Sequence, residues 1–285
     1  MVNTKLKECA EYIEAALEKR MDEIKAGDMA NAIAYSVLGG GKRIRAFLVL
    51  EFCKLFGGNV SDAEDFACAL EMVHAYSLIH DDLPCMDNDD MRRGKPSCHK
   101  AYGETVALLA GDALLTYAFE TAASSKNNAA QGVKVLAKCA GALGMCRGQE
   151  IDLSCTCDSF DELKELHNLK TGALINAACT LGYLASGVDI DESTLEMIED
   201  YALSIGLAFQ IIDDLLDVRS TEEELGKPIG SDDKNGKKTV LTFMSESEAD
   251  KLAYELSTKA AQTFSDLSYS DVVCQLPMYL YKRTK

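Results

Sequence analysis

From Leu195 onward the apolar positions Leu195, Ile198, Ala202, Ile205, Phe209, Ile212 and Leu216 follow one another in steps of three and four without a break. Only a helix keeps such residues on one face, so this segment is predicted to be a long helix buried along a stripe. The same spacing recurs over 4–25, 28–38, 43–56, 62–80, 104–123, 129–147, 160–167 and 170–186. Four prolines leave these stretches few interior breaks. Alternation of period two between turn signals is nowhere sustained, so no significant sheet is expected. Asp191 is a predicted cap for the long helix, and Ser159-x-x-Glu162 has the form of a capping box for another. Breaks fall at Gly39-Gly40-Gly41, at Gly57-Gly58-Asn59, between Arg93 and Pro96, between Ser124 and Asn128, and over the polar loop Gly226 to Gly236. None has the composition of an interdomain linker, and the expectation is one all-α helical-bundle domain over 1–285.

Two acidic segments interrupt this pattern: HDDLPCMDNDDMRRGKPSCH at 80–99 and FQIIDDLLDV at 209–218. Each opens on a doublet, Asp81-Asp82 or Asp213-Asp214, and adds a third carboxylate, Asp87 or Asp217. Carboxylates this close repel one another unless a cation neutralises them. Hard oxygen ligands suit Mg²⁺, which takes one or two carboxylates and completes its octahedron with water and phosphate oxygens. A lone acidic run is usually a solvated helix face. Here both runs end apolar helical stretches, and Arg92, Arg93 and Lys95 follow the first. The pattern predicts a pocket that grips a diphosphate through metal ions.

Asp213 and Asp217 are four residues apart and share a helix face, which Gln210 and Gly206 continue backwards. Asp81 and Asp87 are six apart, turned about 120° from each other on an ideal helix. Pro84 lies between them, and a bulge or early helix end there would bring Asp87 back beside Asp81. Leu70, His74, Ser77 and Asp81 form a stripe behind them, with His74 about 10 Å below the acidic end. GGGKRIR at 39–45 adds Lys42 and Arg45 at a predicted helix start, where amides and guanidinium forks suit phosphate oxygens. It is not a P-loop, which would require Gly at Ser36 and Ser or Thr at Arg43.

A net charge of −17 argues against a nucleic-acid surface, which needs clustered Lys and Arg. Metal ions would reconcile that charge with an anionic substrate. The eleven cysteines lack a zinc-type CxxC pair, and most read as reduced, buried small hydrophobes of a cytoplasmic protein. No run is expected to span a bilayer, and Met1 to Lys7 does not read as a signal sequence.

The ordered segments GGGKRIRAFLV, HAYSLIHDDLPCMDNDDMRRGKPSCH, ETVALLAGDALL, GMCRGQEIDL, LKTGALI and FQIIDDLLDV, then LGKPIGSDDKNGKKT, resemble the trans-prenyltransferases that make short-chain isoprenyl diphosphates. The likeness runs from about Asn31 to Thr239 and is greatest to bacterial farnesyl diphosphate synthases. It implies an all-α isoprenoid-synthase bundle with a central cavity, acting as a homodimer. It further implies that Lys42, Arg45, His74 and Arg93 hold isopentenyl diphosphate. Asp81 and Asp87 would ligate Mg²⁺ through the allylic diphosphate, with Asp82 in support, and Arg92, Lys170 and Lys227 would grip that diphosphate. Asp213 would bind a third Mg²⁺, with Asp214 and Asp217 holding its waters. Thr171, Gln210 and Lys237 would stabilise the allylic cation or its leaving group.

Ala46 departs from the family's usual proline, Val240 from a common aromatic, and Pro277 is expected to interrupt the final helix. The ending Tyr279 to Arg283 resembles tails that close over the isopentenyl site. Ser77 and Tyr76 lie about 6–7.5 Å down the helix from Asp81. Helix geometry puts Ser77 nearer the stripe, whereas the resemblance makes Tyr76 the floor of the prenyl tunnel and C15 farnesyl diphosphate the product. The alternatives are a C20 geranylgeranyl diphosphate synthase and, more remotely, a class I terpene cyclase. The intact second aspartate box and the basic residues Lys42 and Arg45 argue against the cyclase.

Overall fold

Apolar residues at helical spacing fold this chain almost wholly into helices. The computed structural model describes residues 1–155, 157–219 and 238–283. Lys227, Lys237 and the polar loop Gly226 to Gly236 lie outside the described residues. In chain order come α1 (Val2–Met21), α2 (Asp28–Val37), α3 (Ile44–Leu55), α4 (Val60–Asp81), the two-residue strands β1 (Met91–Arg92) and β2 (Lys95–Pro96), and α5 (Cys98–Tyr102). These are followed by α6 (Glu104–Ala123), α7 (Ala129–Ala140), α8 (Met145–Ser154), α9 (Phe160–His167), α10 (Ala173–Ala185) and α11 (Glu192–Arg219). We number the two helices described after Lys238 α12 (Glu246–Thr263) and α13 (Asp271–Tyr281). β1 and β2 form an antiparallel pair, with Met91 opposite Pro96 and Arg92 opposite Lys95. The fold class is all-α.

The chain divides into two compact units, the first made chiefly of Asn3–Leu136 and Leu181–Val188, the second of Ala137–Thr180 and Asp189–Lys285. In the first unit α4 packs on α3 and α6. α4 is apolar around most of its circumference, and Phe66, Leu70, Met72 and Val73 are fully buried. Gly132 lets the Phe66 ring lie against its backbone, where a Cβ would overlap the ring. Arg43, the left-handed residue that starts α3, turns inward and binds Glu71 Oε2 at 3.1 Å, Glu14 at 3.0 Å and the Val37 carbonyl at 2.6 Å. Ala46 explains its own departure from proline: its N–H donates to Glu71 Oε1 at 3.1 Å, which a proline could not do.

By length and composition, one helix departs from the expectation that no run can span a bilayer. α6 is 20 residues long with a mean hydropathy of 1.3, so it is long and apolar enough to cross a membrane. It is apolar on two faces: one packs on α4, while Leu108 and Leu109 stay 47% and 51% exposed.

In the second unit the predicted stripe of α11 is buried at Ile198, Ala202, Ile205 and Ile212, with Phe209 half-buried. α12 packs along α11, and Leu207, Ile211 and Leu215 meet Leu163, Val240, Ala249 and Ala253 in one core cluster. The Asp191 carboxylate accepts the Thr194 amide at 2.8 Å, and Ser159 Oγ accepts the Glu162 amide at 3.3 Å, so both predicted caps form. The single helix expected over 129–147 is instead α7 and α8. Gly144, whose Cβ would overlap the Cys139 carbonyl, makes the turn between them. The expected interruption at Pro277 is also absent, because α13 runs through it. Pro277 has no N–H for the Val273 carbonyl four residues back. The hydroxyl of fully buried Tyr201 on α11 donates to that carbonyl at 2.8 Å, replacing the missing helical bond.

Candidate active site

The first acidic box begins where α4 ends. Beyond Asp81 the chain tightens into successive turns, with the Leu83 amide on the His80 carbonyl at 3.1 Å and Asn88 left-handed. The Asp87 amide donates to the Asp81 carbonyl at 2.9 Å. The early helix end therefore folds Asp87 back onto Asp81, and both stay half-buried. Asp82 points elsewhere and is 2% exposed. Arg92 of β1 binds it through Nε, at 3.0 and 3.3 Å to the two oxygens, and through Nη2 to Oδ1. Burial pushes the Asp82 carboxyl up, against the pull of Arg92. The two residues that the resemblance assigned to metal support and to diphosphate thus meet each other in a forked pair.

The hairpin's next residue joins the glycine turn. Arg93, left-handed and exposed, donates to the Gly40 carbonyl and lays its guanidinium against Gly41. Gly41 has φ +132°, and a Cβ there would stand 3.1 Å from Arg93 Cζ, so this approach suits glycine alone. His74 lies half-buried behind Asp81 on α4. Burial holds its pKa well below the usual histidine value, and Arg45, Arg93, Arg43 and Arg92 push it the same way. Neutral His74 therefore sits in a field of guanidinium groups, and Arg45 Nε is buried among the described residues without a hydrogen-bond partner. Lys42 is exposed at the start of the same segment. Concentrated positive charge with a spare donor is what an anion such as a diphosphate needs.

Lower on α4, Ser77 Oγ donates to the His74 carbonyl at 2.9 Å. Tyr76 is buried, its ring edge-on to His80 with centroids 5.8 Å apart. His80 Nε2 is 3.1 Å from the Leu108 carbonyl, and its ring lies over Gly111 of α6, where any Cβ would overlap it.

In the second unit, α9 runs into α10 through a π-type turn over Asn168–Gly172, a widening common at functional sites. This turn presents Lys170 and Thr171. Lys170 Nζ donates to Asp152 of α8 at 2.6 Å, and Thr171 Oγ1 donates to Gln210 Oε1 on α11 at 2.6 Å. Two glycines make room: a Cβ at Gly148 would overlap the Lys170 backbone, and one at Gly206 would lie 3.0 Å from Gly172 Cα. One turn beyond Gln210, Asp213 accepts Arg283 Nη2 at 2.5 Å, and Asp214 accepts the Val240 amide at 2.7 Å. Asp217 is half-buried on the same face as Asp213.

Asp152 was missed as a site residue, although GMCRGQEIDL was legible as a motif, because nothing in that segment shows which side chain it faces. Beside it, both amide atoms of Gln149 are buried without a partner among the described residues. These donor sets fit Mg²⁺. Among the described residues no three acid, His or Cys side chains converge on one point. An ion that takes one or two carboxylates and completes its shell with phosphate and water does not need them to. A cation, the Arg283 guanidinium, already sits on Asp213.

The polyprenyl synthetase family model matches residues 27–270. A chloroplastic geranylgeranyl pyrophosphate synthase of Capsicum annuum is 45% identical over 81% of this chain, which spans 64% of that protein's length. A farnesyl diphosphate synthase of Geobacillus stearothermophilus is 40% identical over 90% of this chain and 89% of its own. The crystal structure of a Helicobacter pylori geranyltransferase complexed with magnesium and isoprenyl diphosphate superposes with a TM-score of 0.84 at 31% identity. It covers 98% of this chain and 96% of that one.

Proposed function

The chain belongs to the polyprenyl synthetase family, and from that premise we propose that it is a Mg²⁺-dependent prenyltransferase joining isopentenyl diphosphate to dimethylallyl or geranyl diphosphate. The products are (2E,6E)-farnesyl diphosphate and diphosphate. The observation that carries the reading is the gathering of Arg45, Arg92 and Arg93 about a neutral His74, at the same end of α4 as Asp81 and Asp87.

In this reading Arg45, Lys42 and Arg93 bind isopentenyl diphosphate, with His74 as a neutral hydrogen-bonding neighbour. Asp81 and Asp87 would hold the metal that neutralises the allylic diphosphate, and the Asp82–Arg92 fork fixes the hairpin that carries Arg93. In the second unit Asp213, with Asp214 and Asp217, is the further metal position. Lys170, bound to Asp152 in the second unit, is assigned to the allylic diphosphate, and Lys227 and Lys237 to the same leaving group. Mg²⁺ would supply neutralisation of the departing diphosphate. The Thr171–Gln210 pair offers oxygen dipoles to the allylic cation, and the isopentenyl double bond attacks that cation. The diphosphate released is the base for the proton then lost, since His74 is surrounded by cations and is a poor one.

The C15 length rests on Tyr76, buried beneath the acidic end of α4, as tunnel floor. A C20 product is the second reading, favoured by the Capsicum synthase at 45% identity against 40% for the farnesyl enzyme. Tyr76→Ala separates them. Removing the ring opens space for another five-carbon unit, so chromatography should show longer products. Unchanged chain length would remove the basis for C15. We further propose one domain over 1–285, a homodimer that covers Leu108 and Leu109 on α6, and a reducing cytoplasmic location suited to cysteines that form no disulfide.

A further inference from the structure

The second acidic box carries Asp213, Asp214 and Asp217 within five residues of one helix, and a cation on Asp213 relieves their repulsion. In this structure that cation is the protein's own. Arg283, just beyond α13, is fixed in three ways. Its Nη2 lies 2.5 Å from Asp213 Oδ1, it donates to the Phe209 carbonyl at 3.0 Å, and its guanidinium carbon stacks 3.7 Å from the centroid of the Phe209 ring. Only 10% of the side chain is exposed, and Nε is buried without a partner among the described residues.

One nitrogen shared between a carboxylate and a carbonyl, on a planar group stacked over a ring, suits arginine and not lysine. All three are made to α11, the helix that bears the box. A divalent cation on Asp213 Oδ1 would need an oxygen at about 2.0–2.1 Å. The guanidinium already takes that oxygen, and a metal ion bound there would face a second positive charge across it.

We propose that Arg283 is the resident counter-ion of the second box and that a divalent cation must displace it from Asp213. The inference rests on the reading of Asp213 as a metal ligand. It assigns Arg283 a role in setting metal affinity, and it links metal loading to release of the end of α13. Two residues earlier, Tyr281 donates to Asp250 at 3.2 Å and packs edge-on to Tyr254. That part of the tail stays anchored while Arg283 moves.

The test is Mn²⁺ titration of the full-length wild type and of Arg283→Gln, Arg283→Lys and Asp213→Asn, with free ion read by electron paramagnetic resonance. Hydrogen exchange over 278–283 is followed in the same samples. Arg283→Gln should tighten one Mn²⁺ site by at least about fivefold, the lower end of ordinary coupling between two ligands. Arg283→Lys, which keeps the charge without the planar stacked guanidinium, should fall between Gln and wild type. Asp213→Asn should lose that site. Mn²⁺ should speed exchange at Lys282 and Arg283 in the wild type but not in Asp213→Asn. Unchanged or weaker Mn²⁺ binding in Arg283→Gln, with the site still lost in Asp213→Asn, would overturn the proposal and leave the metal reading standing. Wild-type binding by Asp213→Asn would overturn both.

Discussion

The helix α13 survives a proline in its interior because a side chain from another helix takes over a backbone bond, and removing one hydroxyl tests this. Tyr201 Oη donates at 2.8 Å to the Val273 carbonyl, which Pro277 leaves without its helical donor, and Val273 and Tyr201 are 1% and 0% exposed. Tyr201→Phe keeps the ring and its packing on Phe264 but leaves that carbonyl buried and unpaired. An unsatisfied buried acceptor costs about 1–3 kcal/mol. With roughly 0.6 kcal/mol per kelvin of unfolding entropy for a chain this long, the melting temperature should fall by about 2–5 °C. The decisive assay is a double-mutant cycle by urea denaturation. Pro277→Ala restores the N–H, so in that background Tyr201→Phe should cost at least about 1 kcal/mol less. Equal costs in both backgrounds would refute the reasoning, since the hydroxyl would then be doing something other than replacing the lost helical bond.

Gly148→Ala should push the π-type turn off α8 through its overlap with the Lys170 backbone, cutting turnover by about 10²-fold with helix content kept; circular dichroism and steady-state rates check it. His167 is held down to about 4, chiefly by burial, with Asp152 opposing and Lys170 assisting. Below about pH 6.5 the unfolded chain protonates this residue while the folded one does not until about pH 4, so the unfolded state binds more protons across that window. Stability should therefore fall by about 3 kcal/mol from pH 6.5 to 4, and denaturation of His167→Gln should show a flatter pH dependence.

Much of this was legible because helical periodicity writes burial directly into sequence. The stripe from Leu195 to Leu216, the caps at Asp191 and Ser159, and the folding back of Asp87 past Pro84 all follow from local rules. The resemblance gives Thr171 and Gln210 a shared role, but their hydrogen bond to each other is visible only in the structure. What stayed hidden depends on tertiary partners. Arg43 sits between Lys42 and Arg45 in the same basic run, yet a left-handed backbone turns it onto Glu71 and makes it part of the core. Asp82 is next to Asp81 but lies just past the end of α4 and is buried, where Arg92 takes it. The break between α7 and α8 hangs on a close backbone approach at Gly144, and continuity through Pro277 on a tyrosine 76 residues away in sequence. The membrane-length apolar character of α6 is masked in sequence because Asp112 and Glu120 interrupt a run that is apolar on two faces.

The central claim is tested most directly by the products of the wild-type enzyme. Purified protein is incubated with geranyl diphosphate and Mg²⁺, with and without isopentenyl diphosphate, and both released diphosphate and prenyl products are measured. The expected result is diphosphate release that requires isopentenyl diphosphate and stops on chelation, with farnesyl diphosphate as the main product. Release from geranyl diphosphate alone would contradict prenyl transfer and indicate cyclisation, and a mainly C20 product would contradict the chain length assigned to Tyr76.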